Sequence, residues 1–451
     1  MLLGGSVVPA GRLRIEVMKG FEYKFEAHDL TLQPGNHKFG VTLTPIHMPS
    51  KPNIQWLGGD VHVHMNYGGT YRNTPNHLVQ QGQAENLSII EDLVVNKEQR
   101  IPDISYFQPG LDSASTANTL LLHGQEFHTS YWGHLGLLNL TDHFLLPDYA
   151  AYPDTAAASL FPPNAVIADL AHEQHGLTGY AHPFDSLPNP KDTDVPLYDE
   201  LPVDVALGKV DYLEVLGFSE HRSTTEVWYR LLNCGFHIPA AAGTDAMANF
   251  SSLRGPVGLN RVYAAVPPGP VQVGAWLDSV RHGRTFATNG PLVEFTLGNL
   301  RIGETLKLQA PGTVKFTAWL RSIVPVDHVQ VVCDGEVTQE LQLSGDRKGG
   351  NWTSSIPIAK TGWCLLRALS NQSEYPVLDL YPYATTSPIY VEVAGHRVAA
   401  TKDVAYFSAW IDRLIEAAQG NTAWNTPAEK QAVLSLLNLA RGVYVGLGGT
   451  K

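Results

Sequence analysis

Cysteine is scarce in this 451-residue chain: Cys234, Cys333 and Cys364, none of them in a CxxC pair. Neither a disulfide framework nor a thiolate zinc knot is suggested, and a reducing, cytoplasmic setting is the expectation. Positive charge is also short, 31 Lys and Arg against 43 Asp and Glu, a formal net charge of -12. A protein that binds a phosphate backbone needs a cationic face to displace counterions, so no nucleic-acid partner is expected. No apolar run reaches the length of a membrane span, and Met1 to Pro9 has too short an apolar stretch and no charged leader for a signal peptide. No membrane partner is expected. GxSxG, the P-loop and a post-strand GxGxxG are missing too, which excludes the commonest serine-nucleophile and nucleotide-binding signatures.

What is present suits a compact globular protein: 44% hydrophobic and 16% charged residues. The length accommodates a barrel of about 250 residues plus smaller modules. Residues 1–53 read as an N-terminal β segment, with strand patterns over 12–17, 23–27 and 38–43 separated by turns such as Pro34-Gly35-Asn36. Residues 54–297 alternate strand and helix, with helices predicted over 76–86, 164–175, 224–234 and 271–282. Gly176, Gly235 and Gly283 follow three of them, as a left-handed helix end prefers, and each opens an apolar run; this is the grammar of a parallel β/α fold. Residues 298–395 return to strand patterns, over 313–319, 328–333, 363–369 and 389–393, with polar 344–351 as a connection, and suggest a β-sandwich-like module. Residues 396–451 form C-terminal helices whose apolar stripes, Phe407, Ile411, Leu414, Ile415 and then Val433, Leu436, Leu437, Ala440, cover the core or a partner subunit.

The most informative stretch is Gly58-Gly59-Asp60-Val61-His62-Val63-His64-Met65. Alternate side chains of a strand share a face, so His62 and His64 point together while Val61 and Val63 face away. An isolated HxH is weak evidence for a metal, since two histidines can equally be satisfied by backbone carbonyls. Other apolar runs, however, also end in chemically capable residues: residues 119–122 lead to His123, Glu126 and His128, 177–181 to His182-Pro183, 238–244 to Asp245, and 210–216 to Glu220-His221. In parallel barrels the C-terminal strand ends share one face and gather catalytic groups there. That recurrence favours a metal site.

The strings GGDVHVHMNYGG, VVNKEQRIPDISYF, GQEFHTSYWGHLGLLNL, GYAHPFD, GKVDYLEVLGF, VWYRLLNCGF, GTDAMANFSSLRGPVGLNRVY, TFATNGPL and YPYATTSPIYV resemble the polymerase-and-histidinol-phosphatase (PHP) superfamily of metal-dependent hydrolases, and within it the carbaryl-hydrolase-like branch. The resemblance implies an α/β fold, a distorted seven-stranded β/α (PHP) barrel holding up to three metal ions. Carried onto this chain, it makes His62, His64, Glu126, His134, His182 and Asp245 the metal ligands. Two departures stand out: the stretch matching a TDHN-like motif ends Leu93-Val94-Val95-Asn96, and the usual Asp-x-His is Asp245-Ala246-Met247. Valine cannot ligate and a thioether suits hard divalent ions poorly, so one or two ions are expected and a third site is lost.

His62, His64, Glu126 and Asp245 would surround one ion, with Glu126, His134 and His182 available to a second; nitrogen and carboxylate ligands suit zinc first, and manganese or iron next. The implied activity is hydrolysis of aryl carbamate or carboxylic ester bonds by metal-bound hydroxide. The rival is a phosphoesterase acting on phosphodiesters or phosphotriesters; a phosphomonoester dianion would want more cations than Arg72, Arg222 and Arg254. A non-catalytic metal- or carbohydrate-binding module is the remaining alternative. His128 is a candidate ligand or proton donor, or a histidine merely hydrogen-bonding behind the site. His221 and Arg222 could stabilise developing negative charge, or be an ordinary helix-start pair. Tyr67, Tyr71 and Arg72 could hold an aryl substrate, although loop aromatics often only pack. Glu85, Glu91 and Asp92 read as solvated carboxylates. The partner expected is a small-molecule ester, carbamate or phosphoester substrate, with a homo-oligomer left open.

Overall fold

The strand Gln55–His64 is buried from Leu57 onward, and its glycines explain how it can be. A Cβ on Gly59 would meet the Trp276 ring at 2.5 Å, so only glycine lets that indole lie across the strand and donate to the Leu57 carbonyl at 3.1 Å. In the computed structural model, which describes residues 5–49, 53–95, 101–129, 131–142, 151–152, 154–155, 157–250, 255–396, 398 and 400–448, this strand lies inside a sixteen-stranded mixed sheet. A four-stranded antiparallel sheet, a two-stranded N-terminal ribbon and two C-terminal helices complete a mixed α/β protein.

Gln55–His64 pairs in parallel with Ile89–Val95 and antiparallel with Arg261–Val266. On one side the sheet continues through Leu120–Thr129, Gly133–Leu138, Leu177–Tyr180 and Tyr212–Leu216 to Ala240–Ala242. On the other it runs through Thr285–Thr288 into strands of the C-terminal half. The sheet is not wholly parallel, because Gly133–Leu138 follows its predecessor through a short loop and must run antiparallel to it. That hairpin sets His128 opposite His134.

Helices Pro75–Ala84, Asn164–Glu173, His221–Asn233 and Val273–Arg281 occupy the four predicted places, and a short helix, Leu201–Ala206, was not foreseen. Gly235 and Gly283 adopt the left-handed conformation, with φ of 90° and 65°. After Asn164–Glu173 it is His175 that turns left-handed, at φ 62°. Gly176 serves close approach instead, since a Cβ there would sit 3.0 Å from the carbonyl oxygens of Ala171 and Leu138.

Near the N-terminus Gly11–Val17 pairs with Glu26–Leu32, one turn later than the strand predicted over 23–27. The segment 38–43 is no strand; it lies largely exposed, with the Phe39 ring against His28 and an isolated bridge between Tyr23 and Pro45 nearby. In the C-terminal half, strands His328–Cys333 and Ile389–Val393 fall where the pattern put them, while Gly349–Ile358 begins inside the polar stretch read as a connection. Phe295, Phe316 and Ile356 of the small sheet share one core with Val329, Leu366 and Val391 of the large one, as sheets packed face to face do. Cys333 and Cys364, opposite one another in neighbouring strands, form a disulfide, which overturns the expectation of reduced thiols throughout. Among the described residues no helix is long and apolar enough to cross a membrane.

The tail helices Thr401–Gly420 and Pro427–Gly448 bury Phe407, Ile411 and Leu414 with Val433, Leu437 and Ala440 against Val227 and Leu231 of His221–Asn233. They also hold the segment before Leu201–Ala206: Tyr406 Oη donates to the Pro188 carbonyl at 2.7 Å and Trp410 Nε1 to that of Asp199 at 3.2 Å.

Behind the HxH strand, His123 lies between two carboxylates, Nδ1 2.9 Å from Asp92 and Nε2 2.9 Å from Asp112. Asp92 also accepts the Met65 amide at 2.8 Å, so this network fixes the strand's end. Asp92 and Glu91 are thus buried rather than solvated; neither Glu91 oxygen has a hydrogen-bond partner, and burial pushes its carboxyl up to about 8. Burial opposes charge on His123, but the hydrogen bonds and charges of Asp92 and Asp112 prevail and raise it from 6.5 to about 9. A raised folded pKa adds stability that is full below the unfolded value and is lost as pH climbs through the folded one. Wild-type urea midpoints should therefore fall between pH 6.5 and pH about 9. His123→Gln should be destabilised by about 3–5 kcal/mol below pH 6.5 and by progressively less toward pH about 9, because it lacks that part of the slope; parallel pH profiles would contradict the ion-pair account.

Candidate metal centre

Six side chains from five segments of the chain converge. His62 and His64 come from Gln55–His64, Glu126 from Leu120–Thr129 and His134 from Gly133–Leu138. His182 follows Leu177–Tyr180, and Asp245 lies between Ala240–Ala242 and Ala246–Met247. His64 Nε2 is 3.2 Å from His62 Nε2, 3.1 Å from Asp245 Oδ1 and 3.3 Å from Glu126 Oε2. The other Glu126 oxygen is 3.0 Å from His134 Nδ1 and 3.4 Å from His182 Nε2, and Asp245 Oδ2 is 3.6 Å from His182 Nε2. Every one of the predicted ligands is therefore in the cluster.

The ring tautomers decide what the cluster can hold. A carbonyl only accepts, so His64 Nδ1, 2.8 Å from the Leu93 oxygen, carries that ring's hydrogen. His62 Nδ1 faces Glu214 Oε1 at 3.1 Å and donates likewise. The two Nε2 atoms then face one another among carboxylates, an arrangement that favours positive charge between them, a proton or a metal cation. Burial disfavours charge on His62, yet Glu214 and Glu126 raise its pKa to about 10. Glu126 is likewise held well below the usual carboxylate range: burial opposes this, but the His62 charge and hydrogen bonds from His134 and His182 prevail. The donor set fits a divalent ion in three overlapping groups, His62-His64-Asp245, His62-Glu126-His182 and Glu126-His128-His134, each with ligand atoms within 4.8 Å.

Backbone geometry at the site is unusual. His182 sits at φ 30° and Asp245 at φ 55°, and non-glycine residues held in this region cluster at functional sites. His182 precedes Pro183, which makes a helical backbone costlier still. Asp245 donates its amide to the His62 carbonyl at 2.7 Å.

The remaining predicted residues divide. His128 stacks against His134, ring centroids 3.5 Å apart, and Tyr67 lies 5.7 Å from the His64 ring. Tyr71 is exposed, and Arg72 caps the carbonyl of Gly69 at 2.9 Å. His221 and Arg222 turn to the C-terminal half: His221 Nε2 is 3.1 Å from Asp379, and the Arg222 guanidinium covers the Tyr381 ring and donates to the Ser370 carbonyl. The structure does not bring this pair to the cluster. Val95, register partner of Glu126, and Met247, register partner of His64, supply no nitrogen or oxygen ligand. Arg254 and residues 96–100 lie outside the described residues.

Two residues at the site were not singled out in the sequence. Glu214, wholly buried, bonds His62; Asp60 accepts the amides of His62, Thr244 and Gly258 at 3.1, 2.9 and 2.7 Å, tying three segments together. The available signal was a charged residue inside an otherwise apolar strand, on the face of Tyr212 for Glu214 and of His62 for Asp60.

Beside the cluster, on the side of His134 and His182, lies a cavity of about 560 Å³. Tyr131, Phe184, Leu187, Leu197 and Tyr198 supply its apolar wall and Asp185 and Asp192 its carboxylates; Asp199 also lines it, its carboxyl pushed well above the usual range by burial. Arg413 also lines it, but its guanidinium is committed to the carbonyls of Asp192 and Val195.

These features define a mixed α/β protein with a buried histidine-carboxylate cluster able to hold a divalent cation. No family model and no curated protein matches the chain. Among solved structures, PsfC from Pseudomonas syringae PB-5123 is similar over 50% of this chain and 89% of its own, with 13% identity and a TM-score of 0.34.

Zinc at 100 times its Kd should stabilise the folded chain by about 2.7 kcal/mol, seen as a rise in unfolding temperature that chelator reverses. His64→Ala should lose the rise while remaining folded; an equal rise in the variant would place the ion elsewhere.

Proposed function

We propose that this protein is a PHP-type, metal-dependent hydrolase that cleaves a neutral ester-like bond, an aryl carbamate or carboxylic ester, at the His62-His64-Glu126-His134-His182-Asp245 cluster. The observation that carries the reading is the pair of Nε2 atoms facing one another at 3.2 Å among buried carboxylates, beside a cavity. A barrel is part of the proposal: Ala240–Ala242 leads into Ala246–Met247, which pairs in parallel with the HxH strand through Val63 and His64, giving a path by which the sheet could close. Residues 54–297 would form this catalytic unit, with 1–53, 298–395 and 396–451 as the surrounding modules.

A divalent ion held here supplies Lewis-acid polarisation and acidifies bound water to a pKa of ~7. The chain's own groups do the rest. His62, His64 and Asp245 hold the ion, and Glu126 reaches from them toward His134 and His182. His128, packed on His134, is positioned to hold a proton for the leaving group. The aromatic wall of Tyr131, Phe184 and Tyr198 accommodates an aryl leaving group.

Cavity charge argues against anionic phosphoesters. Asp185 and Asp192 line it with carboxylates, burial pushes the Asp199 carboxyl well above the usual carboxylate range, and Arg413, the arginine among its described lining residues, is occupied by backbone carbonyls. A phosphomonoester dianion would meet repulsion there, whereas a neutral carbamate, carboxylic ester or phosphotriester would not.

A matched panel with one leaving group tests the reading: aryl carboxylic ester, aryl carbamate, phosphomonoester, phosphodiester and phosphotriester, each before and after chelation and metal restoration. Chelator-sensitive turnover of the carbamate and carboxylic ester is expected, lost at least 100-fold in His62→Ala and Asp245→Ala, on the scale of removing a principal transition-state stabiliser. Turnover concentrated on phosphoesters would replace acyl with phosphoryl chemistry, and unchanged hydrolysis in both variants would remove the cluster from the reaction.

A further inference from the structure

We infer that Glu214 is the positioning residue on which both ends of the cluster depend, setting the ring of His62 and the backbone of His182 at once. The inference rests on the metal-centre reading above and concerns how the ligands are held before an ion arrives. Glu214 is wholly buried in the strand Tyr212–Leu216 and spends its two oxygens on different candidate ligands. Oε1 accepts His62 Nδ1 at 3.1 Å, and Oε2, 3.4 Å from the same nitrogen, accepts the backbone amide of His182 at 3.0 Å. The first bond fixes which His62 nitrogen carries hydrogen, leaving Nε2 free to ligate. The second falls on the residue whose backbone is left-handed immediately before a proline, a conformation that needs outside support.

The surroundings are shaped to admit this carboxylate. A Cβ on Gly243 would lie 2.9 Å from Glu214 Oε1 and 2.3 Å from His62 Cβ. A Cβ on Gly217 would lie 3.1 Å from Oε2 and 3.2 Å from His182 Cβ. Two strand-end glycines thus leave room where Glu214 meets the two histidines it serves. His62 and His182 stack at a 5.3 Å centroid separation, so a shift of either ring is felt by the other. The two groups this carboxylate links belong to residues whose rings face the same ion-binding space.

The test is metal affinity in the full-length protein, independent of turnover. Zinc and manganese are titrated calorimetrically into metal-stripped wild type, Glu214→Gln and Glu214→Ala, and the visible absorption spectrum of each cobalt-loaded protein is recorded. Both variants should bind about 10–100-fold more weakly, with Glu214→Gln the milder because its amide oxygen can still accept one bond. Their cobalt spectra should differ from wild type in band position or intensity, which a remote packing defect would not produce. If Glu214→Ala fails to fold, Glu214→Gln decides. Wild-type affinity and an unchanged cobalt spectrum in the folded variants would overturn the role of Glu214 while leaving the metal centre intact. Absence of zinc and manganese binding by the wild type would overturn the metal-centre reading itself, and this inference with it.

Discussion

The constraint on which the structure turns is the crowding of acceptors at buried strand ends. The Nε2 atoms of His62 and His64 lie 3.2 Å apart, each within 4 Å of a Glu126 and an Asp245 oxygen, almost fully removed from water. A buried charge without a partner costs several kcal/mol, so such a grouping persists only where positive charge can enter it. Burial opposes charge on His62, but the carboxylates of Glu214 and Glu126 outweigh it and raise the His62 pKa, so positive charge is favoured at this point. A divalent cation meets the same need with two charges and several ligand bonds.

The rest of the fold supplies rigidity around that point. Asp60 gathers amides from three segments, and the His123 network with Asp92 and Asp112 holds the end of the HxH strand. The tail helices act at longer range, since Tyr406, Trp410 and Arg413 bind backbone carbonyls of the 188–199 segment that walls the adjacent cavity. Their apolar stripes cover the core of this chain, so a partner subunit is not needed to explain them.

Much of the site was legible because strand alternation and strand endings are local. Placing His62 and His64 on one face needs only a period of two, and His182 and Asp245 each end a short apolar run. Glu214 escaped because its importance lies in contacts 152 residues away in sequence. His221 and Arg222 misled for the opposite reason: they follow a strand end as the ligands do, but the helix they begin aims them at Asp379 and Tyr381. Of the fold, the long apolar helices and the strands His328–Cys333 and Ile389–Val393 were readable from pattern. The strand Gly349–Ile358 was obscured because its outward residues are polar, and the Cys333–Cys364 bridge because spacing alone says nothing of which strands are neighbours.

The most direct measurement is crystallographic: anomalous diffraction collected on both sides of the zinc edge from zinc-equilibrated crystals of the full chain. The account predicts a strong peak that vanishes below the edge, between His62 Nε2, His64 Nε2, Glu126 and Asp245, at about 2.0–2.2 Å from its ligands. Zinc bound only elsewhere, or an empty cluster with His62 and His64 still in contact, would contradict it.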